Sequence, residues 1–282
     1  ATAPDMKNSM DVYYDDYNLM DLQIMSTLGI TDEDIKAIGK VKGVDKVQPG
    51  YFTDVVSKIG STEIVIKVHS IPSVRTKDSL NQIKLTEGRL PEKSGECILE
   101  DNMFMDLGLE VGDIINIQSG KAEAITEETL AVDRYKIVGK AITLYYLSYE
   151  KGSSEIGNGK VDTYMMVLEN DFILPVYTEA IVSVKGAKEL NSYGKEYKET
   201  VSNVSAPLEN LGTDRSLLRL DEVKSLALEE LEKAKTEFEE QKKVFEEEMK
   251  KQLQWNPQFC APYVVDADAD LVNKIGLMNT PA

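Results

Sequence analysis

Asp21–Gly43, DLQIMSTLGITDEDIKAIGKVKG, decides how the first part of the chain is read. Leu22 and Ile24 alternate with Gln23 and Met25, the period-two pattern of a strand over Asp21–Thr27. Thr31-Asp32-Glu33-Asp34 then starts a helix. Thr31 suits the N-cap, Asp34 stands at the capping-box position, and the acids complement the positive helix end. The apolar stripe Ile35, Ile38 and Val41 follows, and Gly43 is expected to stop it.

Working outward, Val44–Val56 reads as extended with a break at Pro49-Gly50. Gly60-Ser61 marks a hairpin turn, and Ile64, Ile66 and Val68 alternate along Thr62–Val68. The opening is therefore β-α-β-β. Leu85–Ile98 is rich in turns. A short helix over Asn102–Leu107, strands at Ile114–Gln118 and Tyr135–Thr143, and a Gly/Ser loop over Lys151–Gly159 come next. Strands at Asp162–Leu168 and Thr178–Lys185, a helix over Ala187–Leu211 and a short strand at Leu217–Leu220 complete a β-β-α-β half that echoes the first. The expected fold class is α+β: a split β-α-β sandwich with an inserted β-rich subdomain and a projecting long helix, coiled-coil-like. The divisions are 1–80 and 161–220 for the split, porter-like unit, 81–160 for the insert, 221–254 for the helix and 255–282 for a tail.

The helix over Asp221–Gln254 is the plainest element. Ala227, Leu231, Ala234, Phe238, Gln241 and Phe245 recur at spacings of four and three, the rhythm of a coiled-coil seam. Nearly everything between them is Glu or Lys, with i,i+4 partners such as Glu229 with Lys233. Two alanines and a glutamine make a thin seam that needs a partner. A single helix held by its own ion pairs is the other reading. Asn256-Pro257 ends it.

Composition narrows the function. The 282 residues carry a net charge of −17. That sign opposes nucleic-acid binding, which relies on Lys and Arg against phosphates, and opposes an anionic lipid surface. A cationic peptide would be attracted, with an affinity that falls as salt rises. No apolar run approaches the roughly 18 residues of a membrane span. The chain opens at Ala1 without an initiator Met and is expected to be a segment of something longer.

Chemistry is sparse. The two cysteines, Cys97 and Cys260, form no C-x-x-C; Cys97 reads as a buried structural thiol, and a disulfide between the two stays open. The single histidine, His69, leaves no His-rich metal site, and at a strand end it reads as structural or exposed. Gly157-Asn158-Gly159-Lys160 is too short for a phosphate loop, and no Gly-x-Ser-x-Gly elbow occurs. Asp266-Ala267-Asp268-Ala269-Asp270 is acidic, but a calcium loop needs Gly and Glu where Leu271 and Leu277 stand. Tyr13-Tyr14-Asp15-Asp16-Tyr17 sets aromatics beside carboxylates, which suits either a sugar or peptide site or a packed domain start. No enzyme and no cofactor are expected.

Several stretches in order carry a resemblance: Ala1–Met6 with Tyr13–Tyr17; Ser26–Thr31; Gly43–Val47; Lys67–Pro72; Glu87-Gly88-Arg89-Leu90-Pro91 with Ser94-Gly95-Glu96-Cys97; Gly157–Asp162; Tyr177–Glu179; and Val184–Leu190. Together they resemble the extracellular domain of FtsX/MacB-like ABC transporter permeases of the Firmicutes type, over about residues 1–250. The resemblance implies a non-catalytic domain on the extracellular face of the cell membrane, between the first two of four transmembrane helices. It implies a cytoplasmic ABC ATPase as partner through the transmembrane parts, a second permease copy, and an extracellular protein or substrate. A free-standing surface adhesion protein, or an FtsX-type regulator of a cell-wall hydrolase, is the alternative. Many relatives carry two antiparallel helical arms where this chain shows one. The partner seam is expected at Ala227, Leu231, Ala234, Phe238 and Phe245.

Overall fold

The computed structural model describes residues 3–102, 107–119, 129–146, 148 and 150–255. The middle of the helix expected at Asn102–Leu107, Cys260, and the acidic run Asp266–Asp270 lie outside the described residues. The chain divides into two compact units, Ala1–Leu218 and Arg219–Ala282.

Among the described residues, the first unit holds every strand. Helix α1 (Ala3–Asp16) precedes β1 (Leu22–Ile30), α2 (Asp32–Gly39), β2 (Val44–Gly50), β3 (Phe52–Ile59) and β4 (Thr62–Ile71). Next come β5 (Lys84–Gly88), β6 (Glu96–Glu100), β7 (Ile114–Asn116), β8 (Arg134–Ile142), β9 (Thr163–Leu168) and β10 (Tyr177–Val184). A long helix, α3 (Lys195–Trp255), ends the described chain. The fold is α+β, with a long C-terminal helix. Among the described residues no helix is long and apolar enough to cross a membrane.

The α2 capping box forms as its residues dictate. Thr31 Oγ1 accepts the Asp34 N–H, and Asp34 Oδ2 accepts the Thr31 N–H at 2.8 Å. Burial pushes the Asp34 carboxyl up, but the Thr31 donors and the Arg215 guanidinium outweigh it and hold the group below its ordinary range. The helix ends at Gly39, four residues before the expected stop, with Lys40 as its C-cap. Gly43 has another task. Its φ is +97°, and a Cβ there would lie 2.6 Å from Val204 Cγ2, so only glycine lets α3 approach.

The strands form two sheets. A three-stranded antiparallel sheet has the order β1-β10-β2, with Ile24 opposite Ala180 and Ala180 opposite Pro49. Ile38 of α2 and Val204 and Leu208 of α3 pack with Ile30, Val44, Ala180, Val182 and Val184 to form its core. The second sheet runs β3-β4-β9-β6-β8, with β7 and β5 both antiparallel to β8. Gln118, just past β7, exchanges two 2.8 Å backbone hydrogen bonds with Val56 of β3, which closes the sheet back on itself. The side chains inside include Val55, Ile66, Val68, Leu99, Tyr135, Ile137 and Met165. The expected face of β4, Ile64, Ile66 and Val68, points into this core.

This topology shows where the 81–160 segment goes. Its strands β5 to β8 share one sheet with β3, β4 and β9 from the flanking segments. The expected echo between the halves does not form, because β9 joins the closed sheet and only β10 joins β1 and β2. The helix expected from Ala187 begins instead at Lys195. Asn191 is the cause: its Oδ1 accepts the Tyr193 N–H and its carbonyl accepts the Gly194 N–H, a local turn that competes with helix. Leu217–Leu220 is helical rather than a strand, so the two expected helices are one. The run Leu217-Leu218-Arg219-Leu220 favours helix, and α3 continues through both Pro207 and Gly212.

Candidate functional site

The first and last strands lie side by side. Leu22, which opens β1, pairs with Val182 near the end of β10. Asp21 ties the two together: its Oδ2 accepts the Val184 N–H at 2.7 Å and its Oδ1 accepts the Tyr197 hydroxyl at 2.7 Å. Burial raises the Asp21 carboxyl and Tyr197 phenol affinities for protons, as expected of a half-buried hydrogen-bonded pair. Further out, Asp11 of α1 accepts the Ser192 N–H at 2.8 Å, and Lys188 Nζ donates to Asn18 Oδ1 at 2.8 Å. The Tyr14 and Tyr193 hydroxyls lie 3.3 Å apart, and burial pushes the Tyr14 phenol up to about 12.

Between these segments lies a cleft of about 350 Å³. Tyr14, Asp15, Asp21, Asp45, Lys46 and Lys188 are among its lining residues. Within the Tyr13–Tyr17 stretch, Tyr13–Asp16 form the last turn of α1, which places Tyr14 and Asp15 on a cleft. The helical start was not foreseen: α1 has no clear apolar stripe to reveal it.

A second cluster joins the two sheets. Glu179 of β10 is 1% exposed and His69 of β4 is 3% exposed. Glu179 accepts hydrogen bonds from Gln23 Nε2 at 2.6 Å and Tyr145 Oη at 3.1 Å. His69 Nδ1 lies 3.7 Å from Glu179 Oε1, while Nε2 sits 2.7 Å from the Tyr146 hydroxyl. The His69 ring stacks on Tyr145 at 4.5 Å. The lone histidine is therefore sealed in a structural network. Cys97 is a free thiol buried inside the closed sheet, and burial pushes its affinity for the proton well up. His69 alternates with the inward-facing Val68 on β4, so it stands on the opposite face from Cys97. The structure does not bring the two together as nucleophile and base. No group of three or more His, Cys, Asp or Glu among the described residues is arranged to hold a metal ion.

The Glu87–Cys97 stretch owes its pattern to a clamp. Arg89 grips Glu96 with two hydrogen bonds of 2.7 Å, Nη1 to Oε2 and Nη2 to Oε1. The Arg89 guanidinium holds the Glu96 carboxyl down at about 2, against the opposing effect of burial. Gly88, at φ +74°, passes so close to β8 that a Cβ would lie 2.3 Å from the Val138 carbonyl. The glycine and the ion pair fold this loop together.

The second unit carries the seam. Leu231, Phe238 and Phe245 are 51%, 64% and 63% exposed, and the Ala227 and Ala234 sites are exposed with them. Leu228 and Met249 widen the stripe, and both are exposed. The sequence placed these residues on one helix; it missed Leu228 and Met249, which lie beside the two columns.

No protein-family model matches the chain, and no curated protein does. Solved structures do match. The extracellular domain of the noncanonic ABC-type transporter YknZ from Gram-positive bacteria is 16% identical; the match covers 63% of this chain and 86% of that one, with a TM-score of 0.35. The periplasmic region of MacB from Actinobacillus actinomycetemcomitans is 10% identical over 69% of this chain and 84% of that one, also at 0.35. A domain of a putative permease protein from Porphyromonas gingivalis is 13% identical over 57% and 70%, at 0.27. The chain is similar in structure to these extracellular, periplasmic and permease domains.

Proposed function

We propose that this chain is the extracytoplasmic domain of an ABC transporter permease subunit, a non-catalytic module that handles or senses an extracellular substrate. One observation carries the reading: β1 and β10, the first and last strands, are hydrogen-bonded neighbours at Leu22 and Val182, which brings the start of the strand-bearing unit beside the segment that leads into α3. The ties from Asp21, Asp11 and Asn18 to the segment 184–197 hold the two together. The ordered motifs from Ser26 to Leu190 support the same reading. In this frame the ends transmit motion between the domain and a cytoplasmic ATPase, and the α3 stripe at Ala227, Leu231, Ala234, Phe238 and Phe245 is a docking face.

The test lies in the full-length gene product. Apolar segments of about 20 residues should flank the domain on both sides. An ABC ATPase encoded alongside should co-purify with the detergent-solubilised full-length protein. Absence of either flanking segment sinks the proposal.

A further inference from the structure

The α3 stripe has a pattern that selects its own partner. Leu231, Phe238 and Phe245 recur every seven residues as one column; Ala227, Ala234 and Gln241 form the other. In an antiparallel helix pair, each column faces the opposite column of the second helix. A two-fold axis at the level of Thr236 sets Phe238 against Ala234 of the second copy and Phe245 against its Ala227. Leu231 then meets Gln241, whose aliphatic stem covers it. The next positions of the two columns, Lys224 and Glu248, meet as opposite charges at each end. Every large ring faces a small residue, and the two charged seam positions neutralise each other.

Other alignments lose this match. Sliding the copies by one heptad sets Phe238 against Gln241 and Leu231 against Glu248, or Phe245 against Leu220 and Lys224 against Gln241. A parallel pair stacks Phe on Phe and Ala on Ala, alternating thick and thin layers, and sets Lys224 on Lys224 and Glu248 on Glu248. Its gains are exposed flanking pairs, Glu230 with Lys235 and Glu237 with Lys242, where the antiparallel pair sets Glu237 beside Glu237 and Lys235 beside Lys235; exposed pairs of either kind are worth little against the ring packing. The area suffices. Four Phe side chains at their present exposure supply on the order of 500 Å². Leu231, Leu228, Val244 and Met249 from both copies bring the total to about the 1,200 Å² at which specific interfaces begin.

We infer that the Ala227–Phe245 segment of α3 is a homodimerisation site, which pairs antiparallel with a second copy about an axis at Thr236. The inference rests on reading the stripe as a docking face, and it stands whether or not the chain belongs to a permease.

Sedimentation equilibrium of the full chain should show a monomer–dimer equilibrium. Phe238→Ala should weaken the dimer at least about a hundredfold, because two rings are lost per dimer. Adding Ala234→Phe to Phe238→Ala restores the large-against-small layer and should recover the affinity to within about tenfold. Circular dichroism checks that each variant stays folded. On a Cys260→Ser background, oxidising a mixture of Ala227→Cys and Phe245→Cys chains should yield a crosslinked pair, and Ala227→Cys alone should not. Crosslinking of Ala227→Cys alone means a parallel pair and overturns the inference. So does a monomer at every concentration, which would mean that the chain's own residues 256–282 or another protein covers the stripe. Either outcome leaves the permease proposal to be judged by its flanking segments.

Discussion

At the scale of single residues, the Arg89–Glu96 clamp shows how a short motif acquires its pattern. A buried carboxylate is tolerated only where a cation and donors compensate it, and Arg meets carboxylate with two parallel bonds. Glu96 also accepts the Glu92 N–H at 3.1 Å, so one side chain gathers both sides of its loop. Lysine at position 89 would supply a charge without the fork. Glu96→Gln should cost about 1.5–3 kcal/mol of unfolding free energy at pH 7, the worth of charge-assisted hydrogen bonds. The pH dependence has a definite sign. The folded carboxyl sits at about 2, below its ordinary value of 4.5, so the unfolded chain binds the proton more readily. The stabilisation is present in full above about pH 4.5 and is lost as pH falls toward 2. Urea titrations at pH 7 and pH 3 check both points: the difference between wild type and Glu96→Gln should shrink at the lower pH. An equal difference at both would mean that packing, not charge, decides it.

At the scale of elements, legibility depended on whether the deciding forces were local. The α2 capping box could be read because Thr31 and Asp34 are three residues apart and cap each other. Thr31→Ala should cost about 1 kcal/mol, within the 0.5–2 kcal/mol range for lost N-caps. Thermal unfolding followed by circular dichroism measures it; no change would mean that the Arg215–Asp34 pair, which links α3 to α2, anchors the helix by itself. That pair spans the sequence from 34 to 215, and nothing in either neighbourhood announced it. The β3–β4 hairpin was equally legible, since Gly60-Ser61 joins strands paired from Ile59 and Thr62 to Phe52 and His69. The fate of β9 was not. Its run of buried residues fits any interior strand, and only its parallel pairing with β4 and antiparallel pairing with β6 place it in the closed sheet. The coil seam was visible as a periodicity within one helix. The Asp21 tie and the His69–Glu179 network were invisible, because residues more than a hundred positions apart meet there.

At the scale of the whole molecule, the two units differ in what holds them. Among the described residues, every cluster of buried apolar residues lies in the first unit, and the last buried contributor from α3 is Leu208. From Lys224 to Lys251, every described side chain is exposed. That part of α3 has no core of its own. Local ion pairs such as Lys233–Glu229 and Lys242–Glu239 support it, each worth only a few tenths of a kcal/mol. A single helix so held is marginal in water unless another surface covers its apolar stripe. Removing residues 219–282 should therefore leave the first unit's cooperative unfolding intact. Its melting temperature should stay within about 4 °C of the full chain, the shift that about 1 kcal/mol makes in a domain of this size. The same truncation should abolish dimerisation and lower the helical far-UV signal. Differential scanning calorimetry of the 1–218 chain decides the point. A collapse of its transition would show that the C-terminal region stabilises the strands, and that the two units fold as one.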